Sequence, residues 1–161
     1  MRFFHVLTAA ALVLLAVPAA AASLGSNDAE YLTTAIQIQA GRYAMASYEQ
    51  QHGTGAVKRF AASVVSQSAS DSRMLEKLAK QYGVTPDKPL LIQDKYHYSQ
   101  MAGLSGSALD QSFVRELRIS DQINQDTYSN EMRHGQNGSL KAHAKGRYAA
   151  VQRELTALKH I

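Results

Sequence analysis

No cysteine occurs among the 161 residues, which removes disulfides, thiolate nucleophiles, thiolate metal sites and cysteine redox sensing in one step. Tryptophan is absent too, and proline occurs only three times. With abundant Ala, Leu, Gln and Lys, this composition favours helices over a sandwich of short strands. No glycine loop suited to phosphate is present, and no serine sits in a glycine-flanked nucleophile elbow. The formal charge of +4 is modest, and no function class follows from it alone.

What is present begins with a leader pattern. Arg2 supplies a positive start, Val6 to Val17 form an apolar run, Pro18 breaks it, and Ala20-Ala21-Ala22 offers small residues ahead of Ser23. The run falls short of the ~20 residues a spanning helix needs. The pattern predicts a signal peptide over 1–22, cleaved near Ala22, and a periplasmic or secreted mature protein. With no cysteine at the boundary, a bacterial lipid anchor is not expected. A linker over 23–27 and one domain over 28–161 follow, roughly 139 residues in all and enough for a single core. In an oxidising compartment this chain still forms no disulfide, so packing must stabilise it.

Apolar residues then recur at helical steps. Asn27 or Asp28 is placed to cap a first helix striped by Leu32, Ala35, Ile36, Gln39, Tyr43 and Ala46, which ends at the His52 to Gly55 turn. A second runs over about 56–82, with Val57, Ala61, Val64, Ser68, Asp71, Leu75 and Leu78 on one side. Gly83, Pro86 and Pro89 stop it. A shorter helix over about 90–102 carries the chain across. Ser107 to Asp110 starts the next, whose expected stripe is Leu109, Phe113, Leu117, Ser120, Ile123, Thr127 and Tyr128; after the turn at Gly135 to Gly138, Ser139 is placed to cap a last helix with Leu140, Ala144, Tyr148, Val151, Leu155 and Leu158 inward. No repeat appears at a period of 20 to 50 residues. Two helical pairs joined by a long crossover predict an all-α, ferritin-like four-helix bundle with a short extra helix in the crossover between helices two and three.

The segments Ala56 to Leu78, Leu104 to Phe113 and Leu140 to Leu158 resemble the exported bacterial family catalogued as domain of unknown function 4142. The most specific match is Leu104-Ser105-Gly106 followed by Asp110 and Phe113. The resemblance implies a ferritin-like bundle, described for family members as periplasmic or outer-membrane. It also implies an inward Glu on the first helix and a His on each of the other three, a set suited to metal. Ungapped matching puts Arg42, Gln67, Asp121 and Glu154 at those positions instead. Arg42 and Glu154 both border apolar stripes, so Arg42 is expected to point at Asp121, Glu154 or both, with Gln67 nearby, and to replace a metal centre with a polar interior network.

No cofactor is expected on this reading; the alternative is iron, manganese or zinc held by Asp71, Asp121 and Glu154. Asp71 itself is expected to face Arg73, Arg118 or solvent, or, with its apolar neighbours, to join the polar interior. Lys141, Lys145, Arg147, Arg153 and Lys159 oppose only Glu154 in the last segment and read as a basic surface, with an anionic membrane or cell-wall polymer as the partner it would suit and nucleic acid not expected. His52, His134 and His160 read as exposed or capping, and His143 lies between lysines that disfavour a cation. Asp94 and His97 have the i, i+3 spacing of a ligand pair, and Tyr96-His97-Tyr98 reads as packing of the short helix. The expected function is an exported cell-envelope bundle, non-catalytic, binding or structural, with a link to stress as one option; a ferritin-like metal protein or oxidoreductase is the alternative.

Overall fold

In the computed structural model, which describes residues 24–85 and 89–161, the apolar periodicities resolve into five helices: α1 Ser26–His52, α2 Gly55–Gln81, α3 Ile92–Met101, α4 Gly106–His134 and α5 Gly138–Ala157. There is no strand among the described residues. The predicted signal peptide and Pro86 lie outside them. Helix α1 already begins at Ser26, so of the predicted linker only Leu24 and Gly25 are described outside a helix. None of these helices is long and apolar enough to cross a membrane.

α1 and α4 form the centre, with α2 against α1 and α5 against α4, and α3 lies across α1 and α4. This is the ferritin-like four-helix bundle with a short helix in its crossover. The backbones of α2 and α5 stay apart, which leaves a groove between them that side chains span. Gly83, at φ +66°, ends α2: the N–H of Val84 donates back to the carbonyl of Ala79 at 2.9 Å, a left-handed stop that a side chain would strain.

Three helix starts differ from expectation. Asn137, not Ser139, caps α5, its Oδ1 accepting from the N–H groups of Ser139 and Leu140 at 3.0 and 3.1 Å. The helix begins at Gly138, so Asn137 is the flanking residue whose side chain can reach the free donors. α4 starts at Gly106 with Ser105 flanking it, and neither Asn27 nor Asp28 caps α1. The aspartates near these starts reach other parts of the molecule instead.

Two apolar clusters form the core. One gathers Leu32, Ile36, Leu75, Tyr128, Leu140 and Val151; the other Met45, Val64, Met101, Leu109, Phe113 and Leu117. Between them α1 contributes Gln39 and Arg42, α2 Ser68, α4 Ser120, Asp121 and Asn124, and α5 Arg147, all buried. Because α4 gives this turn to polar side chains, Ile123 points outward, 43% exposed, and Tyr43 of α1 is 46% exposed. Both had been expected inside.

α1 and α4 also carry one pattern twice. Asp28, Glu49, His52 and Gly53 recur as Asp110, Glu131, His134 and Gly135, each 82 residues after its counterpart. That spacing lies beyond the 20 to 50 residues of ordinary solenoid repeats. It matches the two helical hairpins of the fold.

Candidate functional site

Arg42 enters the centre of the bundle from α1 with its side chain 1% exposed, and its guanidinium pairs with Asp121 of α4 and Glu154 of α5. Asp121 is itself completely buried. Arg147 approaches from the α5 side, 3.2 Å from Asp71 of α2 and 3.6 Å from Glu154. Glu154 therefore bridges two arginines, and the layer ties all four long helices together. Three carboxylates face two guanidinium groups here. Burial raises the Asp71 carboxyl above its ordinary range, against the pull of Arg147 and Arg42. Burial works against the charge of Arg147, yet Tyr128, Glu154 and Asp71 together raise its hold on the proton. Burial likewise raises the Tyr128 hydroxyl.

The structure thus brings Arg42, Asp121 and Glu154 together. Gln67 stays outside their contacts: it is half-buried and lines the α2/α5 groove beside Asp71, Arg153 and Glu154. Asp71 faces Arg147 rather than Arg73 or Arg118. The expected basic surface needs one correction, since Arg147 is buried and ion-paired within the bundle. Its place, three residues after Ala144 and four before Val151, is the apolar stripe of α5, and helical period outweighs the charge of its neighbours. Lys145, Arg153 and Lys159 are exposed, and Lys141 is half-buried.

The donors do not fit a transition metal. Among the described residues no three His, Cys, Asp or Glu side chains converge as a ligand group. Asp71, Asp121 and Glu154 are interleaved with two fixed positive charges, which pair with all three carboxylates and oppose a divalent cation.

Beneath α3 a second polar cluster forms. His97 Nδ1 lies 2.8 Å from Glu116 Oε2, and Arg115 Nε donates to the other oxygen of Glu116 at 2.7 Å. Asp94 is buried against α1, where a Cβ at Gly41 would sit 2.3 Å from its carboxyl carbon. Only glycine allows that approach. Burial pushes Asp94 up to about 6, with His97, Arg42 and Ser120 pulling against it. Asp94 and His97 thus turn to different partners, and their spacing serves to dock the helix. His143 is buried and bonds the Tyr31 hydroxyl at 2.7 Å. Burial, with Arg147 adding to it, lowers it to about 4. His52, His134 and His160 are exposed.

Sequence reasoning missed Glu116, and it missed two further buried acids, Glu49 and Glu131 at the ends of α1 and α4. Their signal was the recurring Glu-x-x-His-Gly segment, Glu49 to Gly53 and Glu131 to Gly135.

With this geometry in view, the comparisons place the chain. The sequence profile described as Domain of unknown function (DUF4142) matches residues 14–161, and the chain belongs to that family. A solved structure described as the crystal structure of a DUF305 fragment from Deinococcus radiodurans is similar at a TM-score of 0.77 and 11% identity, over 86% of this chain and 96% of that one. At that identity the likeness is one of fold. No curated protein matches the chain.

Proposed function

We propose that this DUF4142 member is an exported cell-envelope protein, periplasmic or secreted, that works without catalysis as a binding or structural bundle and serves in stress tolerance. The leader pattern at Arg2 to Ala22 supports the address. One observation carries the rest: Arg42 closes on Asp121 and Glu154, so the interior acids are engaged by a permanent cation. A fixed ion-paired layer supports shape and surface rather than redox chemistry.

Contact with partners then falls to the surface. The α2/α5 groove, about 550 Å³ and lined by Ser63, Ser66, Gln67 and Ser70 of α2 facing Arg153, is a polar concavity open to a partner. A second reading rests on exposed Lys145, Arg153 and Lys159, which suit an anionic membrane or cell-wall polymer; such binding would weaken steeply with salt.

The test is to produce the full chain in a bacterium, locate it by fractionation, weigh the product, and measure its metal content. Expected are an envelope or medium fraction, a mass that begins near Ser23, and no stoichiometric transition metal. An unprocessed cytoplasmic chain would overturn the address. Stoichiometric iron, manganese or zinc that disappears in the Asp121→Ala, Glu154→Ala double variant would overturn the non-metal reading.

A further inference from the structure

The two ends of the α1/α4 pair repeat one arrangement. At one end the Asp110 carboxylate of α4 accepts from the Thr54 N–H at 2.7 Å and the Thr54 hydroxyl at 2.5 Å, holding the turn of the α1/α2 hairpin. At the other end Asp28 of α1 accepts from the N–H groups of Gln136 and Asn137 at 2.9 and 3.1 Å, holding the turn of the α4/α5 hairpin. Each hairpin's aspartate secures the other hairpin's turn.

Behind each aspartate lies a second acid. Glu49 is 0% exposed and Glu131 1% exposed; Glu49 sits against Asp110 and Glu131 against Asp28. Both carboxyl groups curl over the glycine that ends their helix: a Cβ at Gly53 would lie 1.8 Å from Glu49 Oε1, and one at Gly135 2.3 Å from Glu131 Oε1. Neither glutamate receives a hydrogen bond from a donor among the described residues. Two carboxylates in contact without a donor repel, whereas one proton between them turns the contact into a strong O–H···O⁻ bond. We propose that Glu49–Asp110 and Glu131–Asp28 are paired proton-binding sites, each holding one shared proton that latches the two hairpins together and is released as the surroundings become alkaline.

Every charged neighbour enters the balance. Glu49 faces Asp110 and Lys58, Glu131 faces Asp28 and Lys141, and Glu131 also adds to the environment of Tyr31. Burial first and the partner acid second push Glu49 up to about 8, and the same causes push Glu131 up to about 7; the lysines pull the other way and are outweighed. Asp110 stays below its ordinary range despite burial, because Thr54 and Glu49 bond it. In the Glu49–Asp110 pair the glutamate donates and the aspartate accepts. A folded carboxyl raised above its unfolded value contributes stability that is complete below the unfolded pKa and is lost as pH rises through the folded one. The latches therefore hold in mild acid and let go across pH 7 to 8.

The experiment is thermal unfolding of the full chain from about pH 5 to pH 9, beside the Glu49→Gln, Glu131→Gln double variant, whose amides donate to the aspartates at every pH. The wild type is expected to lose ~5 °C or more in Tm over that range. The variant should lose at most half as much, the remainder coming from Asp94 and Asp71, which burial also raises, against the stability that buried neutral His143 adds as pH rises past the ordinary imidazole range. An unchanged slope would overturn the proposal. Carboxyl-carbon NMR of the wild type decides the matter even where the variant does not fold: two glutamates should titrate above about pH 6, and titration of every glutamate in the ordinary range would overturn it.

Discussion

At the centre of the bundle buried acid closes on arginine; at its two ends buried acid closes on acid. Asp121 and Glu154 meet Arg42, and Asp71 meets Arg147, whereas Glu49 meets Asp110 and Glu131 meets Asp28. A guanidinium cannot be titrated away at any physiological pH. A proton can. The Arg42 pairs of the central layer are therefore a permanent fixture, sensitive to mutation, with Asp71 as the layer's one carboxyl that burial raises, while the ends tie the same helices together under the control of the medium.

The largest effect that tests this contrast comes from the centre. Arg42→Met strands two buried carboxylates and is expected to cost ~3–5 kcal/mol in denaturant unfolding. Adding Asp121→Leu and Glu154→Leu removes the stranded charge and should recover most of that loss. If Arg42→Met alone were nearly neutral, the centre would not be charge-compensated in the way described. A smaller effect is expected at the ends. Gly53→Ala and Gly135→Ala put a methyl group where the glutamate carboxyl lies, which should cost ~1–3 kcal/mol each and flatten the fall of stability with pH. A loss of stability with the full pH slope retained would separate the glycines from the latches. Smallest is Asn137→Ala, which removes the α5 cap at the Asp28 end without touching either glutamate. About 1 kcal/mol should be lost, with the pH slope kept.

The stripes of Leu32, Leu75, Leu117 and Val151 made the helices and their inward faces legible, because a 3.6-residue period is a local property of the chain. Arg42, Asp121 and Glu154 were legible as a set through their registers beside those stripes. Arg147 carried the same kind of signal, but four basic neighbours drew the reading of its segment to the surface. Ile123 and Tyr43 were read inward because periodicity alone does not say which turn of a helix a polar layer will occupy. The cap reads as Ser139 rather than Asn137 because polar residues two positions apart can both begin a helix, and only the backbone selects one.

The sequence by itself determined a cysteine-free all-α chain, two helical hairpins, a crossover with a short helix, and the recurrence of Asp28, Glu49 and Gly53 as Asp110, Glu131 and Gly135. Those are matters of composition, period and spacing, and they need no partner in space. Tertiary structure decided what each buried charge meets. Asp28 and Gln136, or Glu49 and Asp110, become neighbours only when α1 and α4 lie side by side with their turns at opposite ends, and ionic contacts change sharply over a few ångströms once water is excluded. Whether a buried carboxyl is held by an arginine or by a proton is set by that proximity.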